Sequence, residues 1–288
     1  MPPPPTFSTS FSALAASYDA VLCDVWGVIH NGVTATLEAC DALTRFRQSG
    51  GTVVLITNAP RPGEFVKRFL DDIAVPTEAY DGIVSSGDVT RAVIAARAGQ
   101  RVFHIGPERD VGIFEGLDVE TVPMERADFV VCSGLYDDIT ETPQHYDALI
   151  AAMRQRDLMM LCANPDIVVE RGEHLVYCAG AIADRYAEAG GHVLFAGKPH
   201  RPIYEQAIAA ATQMRGKAAD RARVLAIGDS IRTDLKGACA FGIDCLFVTA
   251  GIHAEELGGR NSPDAGALDG MFAASGAYPK AVMRRLEW

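Results

Sequence analysis

The sequence is poor in the features that mark specialised chains. Its seven cysteines (Cys23, Cys40, Cys132, Cys162, Cys178, Cys239 and Cys245) include no C-x-x-C pair, and most sit in apolar runs such as Val21-Leu22-Cys23 and Val130-Val131-Cys132. An odd number of thiols in such places suits a reducing cytoplasm better than a disulfide framework. No apolar stretch approaches the ~18 residues of a membrane span. Met1 and the prolines from Pro2 to Pro5 carry neither a basic nor an apolar region, so they do not read as a signal peptide. Successive prolines favour a short extended arm instead. Positive charge is scarce, with 26 Lys and Arg against 37 Asp and Glu and a net charge of −11. That balance argues against a general nucleic-acid binder, whose affinity comes from neutralising phosphates. Any phosphate bound here must meet a local positive site. Aromatic residues, at 8%, give no evident stacking platform for a nucleobase. A soluble cytoplasmic protein is expected.

What the chain has is bulk. At ~150 residues per domain, 288 residues suggest two domains, and a chain of this size buries roughly 75% of its unfolded surface without needing disulfides or a metal. Strand-like runs occur at Ala20–Cys23, Thr52–Ile56, Gly82–Val84, Arg101–Ile105, Phe129–Cys132, Met159–Cys162, Leu175–Cys178, His192–Phe195, Arg223–Ile227 and Asp244–Val248. Helix candidates lie between them at Leu37–Gln48, Pro62–Asp72, Val89–Arg97, Pro143–Arg156, Pro202–Met214 and Thr233–Phe241. Such alternation predicts an α/β fold with a doubly wound, Rossmann-like parallel sheet. The spacing divides the chain into a discontinuous core, residues 1–87 and 192–288, and an inserted α/β domain over 88–191. The tail from Tyr278 to Trp288 reads as helical.

Ligands on open parallel sheets bind at the carboxyl ends of the strands, and four strand ends here carry polar groups. They are Asp24-Val25-Trp26-Gly27-Val28, Thr57-Asn58, Gly197-Lys198-Pro199 and Gly228-Asp229-Ser230-Ile231-Arg232-Thr233-Asp234. Each alone has an ordinary explanation: an Asx-turn, a helix cap or a solvated lysine. Together they compose a reaction centre. A carboxylate can attack phosphorus as a covalent nucleophile, and Asp24 and Asp229 can hold Mg²⁺ against the repulsion between two anions. Lys198 and the Thr57 hydroxyl can then neutralise and orient phosphoryl oxygens, with backbone N–H groups at the Gly27 turn as further donors.

The four motifs in this order resemble the haloacid dehalogenase-like hydrolases, and within them the class IIA capped phosphatases, relatives of nitrophenyl phosphatase, phosphoglycolate phosphatase and pyridoxal phosphatase. The resemblance spans roughly residues 18–251, with the insertion where that class carries its cap. It implies Asp24 as nucleophile and metal ligand, with the Trp26 carbonyl and Asp229 completing the metal set and Asp234 supporting it. It also implies Thr57, Asn58, Lys198 and Gly27 as the phosphate site, with Lys198 restraining Asp24. The cap would read the rest of the substrate, with Asn164, Asp166 and Gly180 as candidate contacts. A small phosphorylated metabolite such as a sugar phosphate is the implied partner, and caps of this class allow a homodimer.

One position departs from that pattern. The family's phosphatases carry an Asp two residues after the nucleophile, which protonates the leaving alcohol and later activates water. Here it is Trp26, whose indole has no acid–base function. General acid–base help is worth ~10²–10⁴ in rate. His30 is the nearest titratable side chain in sequence that could replace it, or else a buried turn histidine; His200 is a weaker second candidate. Three readings stay open: a Mg²⁺-dependent phosphatase, a phosphate-ligand sensor without turnover, and altered chemistry such as dehalogenation or phosphonate cleavage. The intact Gly228–Asp234 run argues for a metal and against dehalogenation. The absence of any lysine between Lys67 and Lys198 argues against a Schiff-base phosphonatase.

Overall fold

The computed structural model describes residues 6–8, 10–171, 174–259 and 263–288; the expected polyproline arm at Pro2 to Pro5 lies outside them. Among the described residues two large sheets carry the fold, beside a two-stranded antiparallel pair. The larger has seven strands in the order Thr6–Phe7, Ala281–Met283, Asp244–Val248, Val224–Gly228, Ala20–Asp24, Thr52–Thr57 and Gly82–Ser85. Its central strands are continuous apolar runs because helices cover both faces. Every residue of Ala20–Asp24, Thr52–Thr57 and Val224–Gly228 is buried. Burying one leucine such as Leu22 or Leu55 contributes about 1.5–3 kcal/mol.

The register fixes where the strands end. Ile227 pairs with Cys23, and Asp24 pairs with Ile56. Asp24, Thr57 and Gly228 therefore finish three neighbouring strands on one edge of the sheet. The flanking helix Leu37–Gln48 buries Ala39, Cys40, Leu43 and Phe46, an i, i+4, i+7 stripe.

The second sheet has five strands, all parallel, in the order Val193–Phe195, Met160–Cys162, Phe129–Cys132, Arg101–Ile105 and Glu120–Thr121. It packs on the helices Asp147–Gln155 and Ala179–Glu188 through Tyr146, Ile150, Met153, Ile182 and Tyr186. The chain divides into two compact units. Of the described residues, those up to Thr57, Lys67–Val84 and Tyr204–Trp288 form the first, and Asn58–Val66 and Ser85–Ile203 form the second.

Several sequence expectations are corrected. Val193–Phe195 was expected in the core; it pairs with Met160–Cys162 in the second sheet, and Lys198 follows it into the second unit. The run near Leu175 is not a strand of the parallel sheet: His174–Tyr177 makes an antiparallel hairpin with Val168–Arg171. The tail is not helical over Tyr278–Trp288. Ala281–Met283 is a buried strand in register with Leu246–Val248, and the helix lies earlier, at Ala265–Ser275. Three buried apolar residues fill a place beside Asp244–Val248 that only a strand can occupy. The segment after Asp229 opens as a π turn over Ile231–Leu235 before the helix Lys236–Phe241. The seven cysteines are free, and among the described residues no helix is long and apolar enough to cross a membrane.

Candidate active site

In the first unit, three buried carboxylates converge where the strands end. Oxygen atoms of Asp24, Asp229 and Asp234 all lie within 4.8 Å of one another. Each is oriented by a backbone N–H: Val25 N donates to Asp24 Oδ1 (2.7 Å), Ile252 N to Asp229 Oδ2 (2.7 Å) and Ser230 N to Asp234 Oδ2 (3.1 Å). The seat is cut to fit them. A Cβ on Gly27 or Gly251 would fall on the Asp229 carboxylate, and one on Gly228 would fall on Asp234. Gly27 is further required by its φ of +85°. The π turn that carries Asp234 is held by Ser230, whose carbonyl accepts from Asp234 N and Leu235 N, both at 3.0 Å. Such turns re-aim side chains at functional sites.

Like charges this close repel by about 3–4 kcal/mol per pair at an effective dielectric near 20. An all-oxygen set of buried carboxylates suits a hard divalent cation that keeps several waters, the preference of Mg²⁺. The residues fit that ion. Gly251 and Ile252, which seat Asp229, were missed in the sequence. The run Val248-Thr249-Ala250-Gly251 resembles any strand-to-loop exit, and nothing in it signals a carboxylate packed against Gly251.

Trp26 and His30 form a separate cluster beside this edge. The indole meets His30 edge-on (centroids 5.0 Å apart), and His30 meets Phe69 likewise (5.3 Å). Gly32, at φ +87°, leaves room for the ring, since a Cβ there would strike the indole. The indole Nε1 is buried and has no hydrogen-bond partner among the described residues. His30 is buried and its Nδ1 accepts from Gly32 N at 2.8 Å, so it is built into the turn. Burial lowers its pKa from 6.5 to about 4, leaving a neutral ring of low basicity. The unfolded chain protonates this histidine below about pH 6.5 and the folded protein only near 4. Its contribution to stability is therefore complete above pH 6.5 and shrinks as the pH falls to 4, by on the order of 3 kcal/mol. In His30→Asn the drop in urea midpoint between pH 7 and pH 5 becomes smaller; an undiminished drop would contradict the assignment to His30.

In the second unit, Asn58 and Lys198 are joined. Lys198 N donates to Asn58 Oδ1 (2.7 Å), while Asn58 Nδ2 donates to the Lys198 carbonyl (3.1 Å) and to Asp166 Oδ1 (2.9 Å). Asn164 Oδ1 accepts from Asp166 N (3.1 Å), and the Asp166 carbonyl accepts from Gly180 N (3.1 Å). Gly180 is needed because a Cβ would collide with the Pro165 and Asp166 carbonyls. The proposed cap contacts Asn164, Asp166 and Gly180 thus bind one another and, through Asp166, the Asn58 side chain that holds Lys198. His200 stacks on Phe195 with centroids 4.6 Å apart. The ion pair between Arg61 Nε and the buried Asp110 Oδ1 (3.0 Å) is not legible in the sequence, because each residue alone reads as a surface charge.

Comparison with known proteins agrees with this architecture. Residues 21–120 match the family model described as haloacid dehalogenase-like hydrolase, and residues 195–269 a second one described as HAD-hydrolase-like. A crystal structure of a haloacid dehalogenase-like family hydrolase from Brucella suis 1330 is 46% identical, with a TM-score of 0.87, covering 97% of this chain and all of that one. The chain belongs to the haloacid dehalogenase-like hydrolase family. Among curated members of the family, a 5'-nucleotidase of Bacillus subtilis (strain 168) is 26% identical over 83% of this chain and 90% of its own. A glycerol phosphate phosphatase of Mycobacterium tuberculosis, solved in complex with calcium, is 25% identical with a TM-score of 0.63, covering 83% of this chain and 68% of that chain.

Proposed function

We propose that the protein is a Mg²⁺-dependent phosphatase of small phosphomonoesters, sugar phosphates included, working through an aspartyl-phosphate on Asp24. The observation that carries this reading is the buried triad of Asp24, Asp229 and Asp234 at the carboxyl ends of adjacent strands. The phosphatase relatives support the reaction class.

Asp24, Asp229 and the Trp26 carbonyl would hold the ion, with Asp234 fixing the group. Bound there, Mg²⁺ offsets the charge shared by carboxylates and phosphate. An Asp24 carboxylate oxygen forms a bond to phosphorus as the bond to the leaving alkoxide breaks, and the alkoxide takes up a proton from solvent water. Water then attacks phosphorus, the bond to Asp24 breaks, and inorganic phosphate leaves with Asp24 restored. Thr57 orients phosphoryl oxygens through its hydroxyl, the turn around Gly27 adds backbone donors other than Gly27 N, which is spent on the His30 carbonyl (2.8 Å), and Lys198 supplies the positive charge that the family assigns to this step. The side chain at position 26 neither gives nor takes a proton, so both half-reactions lack acid–base help. Turnover is slow for substrates with poor leaving groups, and a covalent intermediate accumulates.

Phosphate release from nitrophenyl phosphate and a panel of metabolite monoesters, with Mg²⁺ or EDTA, tests the function. Release with Mg²⁺ that EDTA abolishes is expected. Ligand binding in Mg²⁺ without any release favours the sensor reading, for which the seated Trp26 is the specific support. Gly251→Ala displaces Asp229 and weakens Mg²⁺ binding by about 10–100-fold, seen as a smaller Mg²⁺-induced rise in thermal midpoint. An unaltered rise would remove Asp229 from the metal set.

A further inference from the structure

We propose that Asn58 and Asp166 act together as positioning residues for Lys198, and that the Asn58 side-chain amide does not itself bind phosphate. A primary amide has two N–H donors. Both of those on Asn58 are spent, one on the Lys198 carbonyl and one on Asp166 Oδ1. The amide oxygen accepts Lys198 N, so a single side chain grips the lysine's backbone at both its donor and its acceptor. Asp166 fixes which way the amide faces, because a carboxylate oxygen can only accept from the Nδ2 side. Reversal of the amide would set Asn58 Oδ1 against Asp166 Oδ1 and against the Lys198 carbonyl.

The seat leaves no slack. A Cβ on Gly197 would strike Asn58 Oδ1, Pro165 and Ser86 Oγ, so the residue before the lysine is held as closely as the lysine itself. Asn58, Asp166 and Lys198 are all within the second unit, and Asn58 and Lys198 are almost fully buried. The Asn164-Pro165-Asp166 turn thereby acts through Asn58 on the backbone from which the Lys198 side chain extends. The catalytic consequence rests on the phosphoryl-binding role of Lys198 proposed above; the hold on Lys198 does not.

Reductive methylation of each lysine, followed by mass spectrometry, measures that hold without turnover. Lys67, on an exposed helix face, is the internal control. Lys198 is expected to react at least about ten-fold faster in Asn58→Ala and in Asp166→Ala, with Lys67 unchanged. Asp166→Asn retains an accepting oxygen but can also donate, and is expected to react more slowly than Asp166→Ala. Unchanged Lys198 labelling in Asn58→Ala, or equal acceleration in both Asp166 variants, overturns the proposal. Turnover supplies the second arm: Asn58→Ala lowers kcat about ten-fold or more, yet adds nothing to Lys198→Ala, because it acts only through that lysine. Additive losses overturn the positioning role. The expected labelling pattern in a protein that releases no phosphate upholds the positioning and rejects the phosphatase.

Discussion

Replacing Asp24 with Asn lowers phosphate release by at least about 10⁴-fold, the scale seen when a covalent nucleophile is removed, while the fold survives. The amide oxygen of Asn can still accept Val25 N, as Asp24 Oδ1 does at 2.7 Å, so the strand end keeps its geometry. What is lost is a charged oxygen able to bond phosphorus. The substitution also removes one of three carboxylates crowded within 4.8 Å. Without Mg²⁺ the variant therefore unfolds at the same temperature as the parent or higher, and the Mg²⁺-induced rise in midpoint shrinks. Residual release within ten-fold of the wild type would move the nucleophile elsewhere.

The second large effect is a gain. Trp26→Asp supplies the missing proton donor and base, and raises hydrolysis of alkyl phosphates by about 10²–10⁴-fold, the usual worth of general acid–base catalysis. Nitrophenyl phosphate gains less, since its leaving group departs without a proton. The substitution has a structural cost. The indole fills the space over Gly32 and covers one edge of His30, and losing that partly buried ring destabilises the fold by about 1–3 kcal/mol. Urea denaturation and steady-state rates on both substrate types separate the two effects. Equal rates in variant and parent would mean that acid–base chemistry is not what position 26 lacks.

How much was legible depended on whether a feature was local. Ala20–Asp24, Thr52–Thr57 and Val224–Gly228 are buried, largely apolar runs, as strands buried on both faces must be, and the polar residues at their ends marked the site. Asp24 and the Asp229–Asp234 run, far apart in sequence, come together because register brings two neighbouring strand ends level. Short strands carry no such signal. Val193–Phe195 and Ala281–Met283 have three residues each, too few to show periodicity, and only the neighbouring strand decides which sheet they join. Asn58 reads as a phosphate ligand because it follows Thr57, while its two side-chain donors go to Lys198 and Asp166, residues over a hundred positions away. Gly251 and Gly32 were silent for a related reason, since a glycine's role here is the side chain that rests against it. Trp26 stood out in the sequence as the wrong residue for the family's chemistry, whereas its seat against Gly32 and His30 became visible only in three dimensions.

The central claim is that Asp24 carries the phosphoryl group and, with Trp26 beside it in sequence, gives it up slowly. Acid quenching of the protein with nitrophenyl phosphate and Mg²⁺ on the millisecond-to-second scale, followed by peptide mass spectrometry, tests this directly. A phosphoryl adduct on the peptide containing Asp24 is expected, accumulating before steady state, absent in Asp24→Asn and with EDTA, and shorter-lived in Trp26→Asp. Release of nitrophenol without any adduct on Asp24, or with the adduct on another residue, would contradict it.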